Sequence, residues 1–371
     1  MSTDESFMRR ALALALRGAG QTSPNPTVGA VIVRDGNVIG EGWHARYGTA
    51  HAEVVALSAA GSAAKGATIY VTLEPCAHHG KTPPCAGALH AAGVRRVVFA
   101  VDDPNPIAAG GAEWLRAAGV EVMGGVLQAE AAELIAPFLF TVRNYDRPFV
   151  TLKLAVSIDG AIVDASRERG WLTGAESRRA VHALRASSDA VAIGIGTALA
   201  DDPALTVREG APPRVAPLRV VFDRRARLPF DSALVRTASE VPVVVFTDGS
   251  APEAERELRE RGVEVQSVET LVQALTVLRR RGVHHLLVEG GAGLASAFMQ
   301  AEVVDRLITF QAPVILGAGA LPAFAAVPMQ QASSAQRLRV VARELFGQDL
   351  MTTYAISDAA SPSISNAASG D

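Results

Sequence analysis

The chain is poor in cysteine and in aromatic residues, and it has almost no excess of charge. Its 371 residues include 2 cysteines and 5% aromatic residues, and the formal net charge is −3. Two cysteines cannot build the multiple-bridge framework of a small secreted protein. A charge this close to zero provides no basic surface for a nucleic acid. The early apolar run Ala11–Leu16 is too short for a membrane span or a secretory signal. We therefore expect a cytoplasmic protein with neither a nucleic-acid nor a membrane partner.

The length predicts two domains, because 371 residues exceed what one hydrophobic core usually organises. Apolar runs that alternate with amphipathic segments predict an α/β protein, and we place the boundary in "RNYDRP". The predicted domains are residues 1–146 and 147–358. The tail, residues 359–371, is rich in Ser and Ala without periodicity and is expected to be disordered.

The periodicity predicts individual elements in both halves. In the first half we expect a hairpin turn at "RDGN", helices at 5–17, 52–60, 86–92, 109–118 and 130–140, and strands at 27–33, 67–73, 95–101 and 120–123. In the second half we expect strands at 149–157, 190–195, 218–222, 241–246, 284–290 and 305–317, and helices at 176–186, 253–261, 271–281 and 291–300.

Two stretches of the first half carry residues suited to binding a metal ion. "HAE" begins at His51, and "EPCAHHGKTPPC" ends at Cys85. A catalytic zinc takes three nitrogen, sulfur or oxygen ligands from the protein and keeps a fourth position for water. His51, Cys76 and Cys85 supply such a set, and a helix beginning near Cys85 would favour a thiolate there. Glu53 adds a carboxylate that can accept a proton from the water and pass it to a leaving amine.

Other interpretations of these residues stay open at this point. The cysteines alone are compatible with buried apolar residues, with His51 as a hydrogen-bonded polar residue. A structural zinc site in a monofunctional reductase requires a fourth ligand, which His78 or His79 would supply. A nucleoside or nucleic-acid deaminase fused to an unrelated α/β domain needs the same zinc site but no NADPH, and a binding protein without enzymatic activity releases no ammonia.

The order H-x-E, then P-C and a second cysteine, resembles the zinc-dependent cytidine-deaminase-like superfamily. Here eight residues, "AHHGKTPP", separate the cysteines where that pattern has two. With this insert the chain resembles, over nearly its whole length, the bifunctional riboflavin-biosynthesis deaminase/reductase family. The stretches that carry the resemblance are "PNPTVGAVIV", "HAE", "YVTLEPCAHHGKTPPC" and "DDPNP".

This resemblance implies a three-layer deaminase domain that binds zinc, followed by a dihydrofolate-reductase-like α/β domain that uses NADPH. It implies that a water on zinc displaces ammonia from 2,5-diamino-6-(5-phosphoribosylamino)pyrimidin-4(3H)-one and that the ribosyl group is then reduced to ribityl. We therefore expect a phosphorylated pyrimidine as the substrate, and we also expect a homo-oligomer.

The expected substrate assigns roles to further residues. Asn25, between two prolines, offers donors and an acceptor to a pyrimidine edge, and Lys81 offers a point charge to a phosphate. The resemblance implies substrate contacts for Arg185, Leu205, Arg208 and Glu289. It implies cofactor contacts for Ala155, Trp171, Thr197, Asp201, Gly291, Ala292, Gly293, Leu294, Ala295, Ser296 and Ala297.

Proton transfer in the reductase is expected to involve Lys153, with Asp201 or Glu289 as further candidates, and Asp159 is expected near the start of this pocket. Two positions depart from the family pattern. Arg169 stands where a family member carries a serine that contacts substrate, and Arg224 replaces a small polar residue near NADP. Because Arg224 is positively charged, we hypothesise that it pairs with the 2′-phosphate of the cofactor.

Overall fold

The computed structural model describes residues 2–78, 83–167, 170–328, 331, 333, 335 and 337–356. These residues form two compact units. Residues 2–18 and 26–143 belong to the first unit, and residues 19–25 and 144–356 belong to the second. Within the described residues, no helix is both long and apolar enough to cross a membrane.

Helices and strands of the first unit alternate as the sequence predicts. The strands are β1 (Gly29–Arg34), β2 (Asn37–Trp43), β3 (Thr68–Leu73), β4 (Arg96–Val101) and β5 (Glu121–Met123). The helices are α1 (Thr3–Ala15), α2 (Ala52–Ala60), α3 (Cys85–Ala91), α4 (Gly111–Ala117), α5 (Gln128–Leu134) and α6 (Ala136–Arg143), with short 3-10 turns at Leu16–Gly18 and Gly61–Ala64.

The first unit has three layers around a five-stranded sheet of order β2-β1-β3-β4-β5. Successive residues of a strand point to opposite faces. Ile32, Ile69 and Phe99 therefore pack against α2, α3 and α4, whereas Val31 and Val98 pack against α1, α5 and α6. The predicted three-layer α/β arrangement of this unit is confirmed.

The second unit contains a larger sheet with its own helices. Its strands are β6 (Phe149–Val156), β7 (Ala161–Val163), β8 (Ala190–Gly194), β9 (Leu218–Phe222), β10 (Val243–Thr247), β11 (Glu264–Ser267), β12 (His285–Glu289), β13 (Arg306–Gln311), β14 (Leu321–Pro322), β15 (Arg339–Phe346) and β16 (Asp349–Ala355). Its helices are α7 (Ala175–Ala186), α8 (Ile195–Asp201), α9 (Ala233–Arg236), α10 (Pro252–Glu260), α11 (Leu271–Arg280) and α12 (Ala292–Gln300).

Nine strands of the second unit form one sheet of order β11-β10-β9-β8-β12-β6-β13-β16-β15. The strands from β11 to β13 are parallel, and β16 and β15 continue the sheet antiparallel. On one face Leu152, Val220 and Val288 pack with α11 and α12. On the other face Val221 and Leu287 pack with α8, α9 and α10. The carboxyl ends of parallel strands, where α/β proteins bind ligands, therefore lie at one edge of this sheet.

Three predicted elements of the chain are wrong in detail. The helix expected over 130–140 is broken at Ile135, and Pro137 lies in the first turn of the new helix, where its missing N–H costs nothing. The strand expected over 305–317 ends at Gln311. The strand expected over 190–195 ends at Gly194, where α8 begins.

Candidate active sites

Three side chains of the first unit converge to form a metal-ligand cluster. His51 is the N-cap residue of α2, Cys76 follows β3, and Cys85 is the first residue of α3. His51 Nδ1 lies 3.3 Å from Cys85 Sγ and 3.7 Å from Cys76 Sγ. One ligand atom from each of the three residues lies within 4.8 Å of the others. Residues distant in sequence are thus brought to one point by the ends of two helices and a strand.

Hydrogen bonding within this cluster separates the two thiols. The thiol of Cys85 donates to Cys76 and lowers the pKa of Cys76, and His51 lowers it further. The same bond, together with burial, raises the pKa of Cys85. Cys76 Sγ also accepts the backbone N–H of Cys85 at 3.4 Å. The hydrogen bonding between them therefore favours the thiolate form at Cys76 over the thiolate form at Cys85.

Glu53 lies in the first turn of α2, directly beside this cluster. Glu53 is only 4% exposed to solvent. Burial raises the pKa of Glu53 to about 6, and its carboxylate is hydrogen-bonded with Cys85. A carboxyl group whose pKa lies close to neutral pH can accept a proton and give it back, which suits a general acid/base.

The donor set fits zinc. One imidazole and two thiols are the soft and borderline ligands that zinc prefers, and three protein ligands leave one position free for water. Among the described residues the cluster comprises His51, Cys76 and Cys85, without His78. His79, the other candidate for a fourth ligand, lies outside the described residues. Within the described part of the chain, the cluster has the ligand number of a catalytic site.

Glu74 is a buried residue of this region to which the sequence assigned no role. Its Oε1 accepts the backbone N–H groups of Gly110 and Ala112 at 3.2 and 2.9 Å, and its Oε2 accepts that of Asp103 at 3.1 Å. The carboxylate therefore ties the "DDPNP" loop and the start of α4 to the end of β3, next to Cys76. Its signal in the sequence is a charge that directly follows an apolar strand.

His44 is a second residue near the metal-ligand cluster that the sequence did not single out. Its ring meets that of His51 edge-on, with 5.6 Å between centroids. Its Nδ1 lies 3.1 Å from the carbonyl oxygen of Ala50. Burial lowers the pKa of His44, which keeps the imidazole neutral beside the metal-ligand cluster. A single histidine outside any motif gives no sequence signal.

In the second unit Lys153, Arg185 and Glu289 form a buried charge cluster. Lys153 and Glu289 face each other on adjacent parallel strands, with Nζ 3.4 Å from Oε2. Arg185, on α7, binds Glu289 through Nε and through Nη2, the latter at 3.1 Å. Against the cost of burial, Lys153 and Arg185 hold the pKa of Glu289 at about 2. Glu289 is therefore a carboxylate at neutral pH and cannot serve as a proton donor there.

Two helix N-termini lie side by side at the carboxyl ends of β8 and β12. Gly194 and Gly291 are their N-cap residues. A methyl group on Gly291 would lie 3.2 Å from Thr197 Oγ1, so the two predicted cofactor segments approach closely. The first backbone N–H groups of a helix have no partner within the helix and suit a phosphate.

The run from Gly291 to Ala297 does not present all of its side chains in the same way. Ala295 is fully buried in the core, and Ser296 Oγ accepts the N–H of Ala326 at 3.2 Å. Gly293 and Ala297 are exposed. Any contact of the buried members with a cofactor therefore has to use the backbone.

The remaining predicted reductase residues differ in exposure. Leu205 packs its side chain into the core and has a left-handed backbone, with φ of 52°. Arg208 is exposed, and its backbone N–H donates to His182 Nδ1 at 3.3 Å. The Trp171 ring is 75% exposed and lies beneath the guanidinium of Arg178. Ala155 lies on β6 and Asp201 ends α8, both half-buried.

The other sequence predictions stand as follows. Asn25 lies in the second unit, after a cis Ser23–Pro24 bond, and its N–H donates to the carbonyl of Thr22. Asp159 accepts N–H groups from the loop that follows β13, at Leu316 and Gly317. Arg224 is exposed and lies 3.5 Å from Asp248. Lys81 and Arg169 lie outside the described residues.

Known protein families match each half of the chain. Residues 1–101 match the cytidine and deoxycytidylate deaminase zinc-binding region, and residues 148–352 match the RibD C-terminal domain. Riboflavin biosynthesis protein RibD of Aquifex aeolicus is 44% identical over 85% of this chain and 88% of its own. The Escherichia coli protein of the same name is 44% identical over 85% of this chain and 89% of its own.

Solved structures extend the similarity to the whole fold. Acinetobacter baumannii RibD has a TM-score of 0.80 and 39% identity, covering 96% of this chain and 99% of its own. A diaminohydroxyphosphoribosylaminopyrimidine deaminase/5-amino-6-(5-phosphoribosylamino)uracil reductase from Thermotoga maritima has a TM-score of 0.82 and 36% identity, with the same coverage.

The two sites and these matches define a class of protein: a zinc-binding deaminase joined in one chain to a reductase that uses NADPH. Its substrate is a small molecule. The chain belongs to the riboflavin biosynthesis protein RibD family and is a bifunctional enzyme of the riboflavin pathway. A nucleoside or nucleic-acid deaminase fused to an unrelated domain is not favoured.

Proposed function

We propose that the protein deaminates 2,5-diamino-6-(5-phosphoribosylamino)pyrimidin-4(3H)-one by hydrolysis and then reduces the ribosyl side chain of the product to ribityl with NADPH. The observation that carries this proposal is the presence, in one chain, of the buried His51/Cys76/Cys85 cluster with Glu53 and of the Lys153/Arg185/Glu289 cluster beside two helix N-termini. The Thermotoga maritima relative is named for the same pair of reactions, which supports the proposal.

In the deaminase, His51, Cys76 and Cys85 would hold zinc, which would supply a water of lowered pKa when bound. Glu53 accepts the proton of that water and delivers it to the ring or the departing amine. Its burial supports this role, because a carboxyl with a pKa of about 6 exchanges protons readily near neutral pH. We assign Asn25 to the pyrimidine edge and Lys81 to the phosphate.

In the reductase, the first turns of α8 and α12 would hold the phosphates of NADPH, which would supply the hydride when bound. The cofactor contacts that we propose are Ala155, Trp171, Thr197, Asp201, Gly291, Ala292, Gly293, Leu294, Ala295, Ser296 and Ala297. Lys153 is the proposed proton donor, since Glu289 is held as a carboxylate and orients the ammonium group.

The phosphoribosyl group of the substrate is assigned to Arg185, Leu205, Arg208 and Glu289. Arg208 is the group best placed to bind phosphate, because its side chain is exposed and, within the described part of the chain, takes part in no salt bridge. Arg185 already shares its guanidinium between Glu289 and the carbonyl of Thr206. Its contribution is therefore to orient the site as well as to add charge.

The decisive experiment follows two products separately. The zinc-loaded protein is incubated with the diaminopyrimidine phosphate and NADPH, and ammonia release and NADPH oxidation are recorded. We expect ammonia release without NADPH, and NADPH oxidation only once the pyrimidine has been deaminated. Ammonia release without any later NADPH oxidation contradicts the reductase half of the proposal. The absence of ammonia release contradicts the deaminase half.

We further propose functional domains at residues 1–146 and 147–358, a cytoplasmic location and a homo-oligomer. Two free thiols that serve as metal ligands suit a reducing compartment. The outer strand β15 has an exposed apolar side chain, Leu345, which supports association through that edge. Sedimentation equilibrium tests the oligomer directly. The tail at 359–371 lies outside the described residues.

A further inference from the structure

Arg219 is fully buried and forms no salt bridge with any of the described residues. It lies on β9, an interior strand of the nine-stranded sheet, and its relative exposure is 0%. Within the described residues, it has the largest of the fully buried side chains. Its guanidinium donates only to neutral oxygens. Nη1 reaches Ala204 O at 3.2 Å and Thr237 Oγ1 at 2.7 Å, and Nη2 reaches Thr237 O at 2.9 Å and also Val241 O. Nε has no partner within the described part of the chain.

Such burial is costly, because a guanidinium loses its hydration and gains no opposite charge in contact with it. Burial accordingly lowers the pKa of Arg219. An apolar side chain would fill the same volume without this cost. The guanidinium also has a geometric effect, because its planar fork joins two separate backbone segments, one at Ala204 and the other at the turn that contains Thr237 and Val241.

One of these segments has an unfavourable backbone conformation on either side of the contact. Ala204 lies between Asp202, with φ of 38°, and Leu205, with φ of 52°. Non-glycine residues in this left-handed region persist only where the surroundings hold them. Asp202 provides a second tie, because its Oδ1 accepts the N–H of Ala233 at 2.7 Å, at the start of α9. The Arg219 partner Thr237 follows the end of the same helix.

The opposite end of this segment reaches the reductase charge cluster. Thr206 O accepts Arg185 Nη1 at 3.2 Å, and Arg185 binds Glu289. Two residues further on, the backbone N–H of Arg208 donates to His182 on α7. Residues 202–208 thus form a bridge from Arg219, in the core, to the side chains that we assign to substrate.

We propose that Arg219 is a positioning residue of the reductase site. It acts through the carbonyl of Ala204 and fixes residues 202–208, so that the backbone of Leu205 and the guanidinium of Arg208 meet the phosphoribosyl group. This role rests on the proposed function. It means that Arg219 affects the affinity of the reductase for its substrate and not its affinity for NADPH.

The test compares Arg219→Met, which removes the fork, with Arg219→Lys, which retains a charge and three donors. With 5-amino-6-(5-phosphoribosylamino)uracil as substrate, we expect KM of the reductase to rise about tenfold or more in Arg219→Met and less in Arg219→Lys. The dissociation constant of NADPH and the rate of ammonia release should stay at the wild-type values. Arg256→Met, which removes an arginine with a 71% exposed side chain from the same unit, is the matched control.

A milder variant keeps the test decisive if Arg219→Met does not fold. Thr237→Val removes one acceptor of Nη1 and leaves the charge in place, and we expect it to raise KM in the same direction. Unchanged KM in both Arg219→Lys and Thr237→Val overturns the proposal. So does a loss of NADPH affinity that matches the rise in KM, because it indicates a general loss of structure.

These outcomes are separable from failure of the proposed function. A wild-type protein that does not oxidise NADPH with this substrate contradicts the proposed function itself. An active wild-type protein whose variants behave like Arg256→Met contradicts the role of Arg219 alone.

Discussion

Lys153 and Glu289 face each other across two adjacent parallel strands, with Lys153 Nζ 3.4 Å from Glu289 Oε2. Arg185 approaches the same carboxylate from α7. Two cations therefore share one buried anion. This arrangement keeps Glu289 ionised and holds the side chain of Lys153 against its carboxylate.

The charge of Glu289 is expected to stabilise the second unit. Its pKa falls from 4.5 to about 2 on folding, which corresponds to about 3 kcal/mol of stability at neutral pH. This contribution is present above pH 4.5 and is lost as the pH falls toward 2. Glu289→Gln should therefore unfold at lower urea concentration at pH 7, with a difference from wild type that narrows below pH 4.5.

The matched control for this variant is Glu253→Gln, at an exposed position on α10. It should shift the urea midpoint little, because an exposed charge is screened by solvent. A pH-independent difference between wild type and Glu289→Gln would contradict the assignment of the low pKa to Glu289.

Glu53→Gln should retain zinc and lose deamination. The amide keeps the shape of the side chain but cannot accept a proton, and general acid/base catalysis contributes about a hundredfold or more. Metal analysis should give the wild-type zinc content, and ammonia release should fall by at least that factor. NADPH oxidation with the deaminated substrate serves as the internal control and should not change. Near-normal ammonia release would remove Glu53 from its assigned role.

Removal of zinc should stop deamination and leave the reductase reaction unchanged. A ligand that binds the folded state stabilises it, so chelation is expected to lower the unfolding temperature of the first unit as well as to abolish ammonia release. Added Zn²⁺ should restore both, whereas Mg²⁺ should restore neither, because thiolates and imidazole are poor ligands for magnesium.

Cys85→Ser provides the control for the chelation experiment, since it lacks one of the three ligands. Its unfolding temperature should respond little to the chelator. A chelator-sensitive Cys85→Ser protein would place the stabilising metal elsewhere.

The candidate zinc ligands could be proposed from the sequence because their chemistry depends on residue type, and the structure brings the three of them together. Few side chains other than histidine and cysteine bind zinc, and "HAE" and the two cysteines are recognisable without any fold. The structure adds what spacing could not provide. It shows the hydrogen bonding that separates the two thiols, and it shows that Glu74 ties the "DDPNP" loop and the start of α4 to the chain next to Cys76.

The candidate residues of the reductase site could be proposed from the sequence only through the resemblance. Lys153, Arg185 and Glu289 are far apart in the chain, and each alone is an ordinary charged residue. Strand pairing and helix packing bring them together, and neither is readable from local periodicity. The hairpin of β15 and β16 was missed for a related reason: "RVVARELF" is an edge strand with many exposed positions, so its apolar residues do not alternate regularly.

We expect tight zinc binding to require a glycine at position 111. A Cβ built at this position would lie 1.7 Å from the carbonyl oxygen of Pro75, the residue before the ligand Cys76. Gly111→Ala must therefore move backbone, and we expect zinc affinity to fall about tenfold or more, as for other residues that support metal ligands. Competition with a chromogenic zinc chelator measures the change.

Gly87→Ala is the matched control, because Gly87 lies in α3 with no atom within 4 Å of the added Cβ. That substitution should leave zinc affinity unchanged and stabilise the helix slightly. Equal zinc affinities in the two variants would show that the contact between Gly111 and Pro75 does not position Cys76.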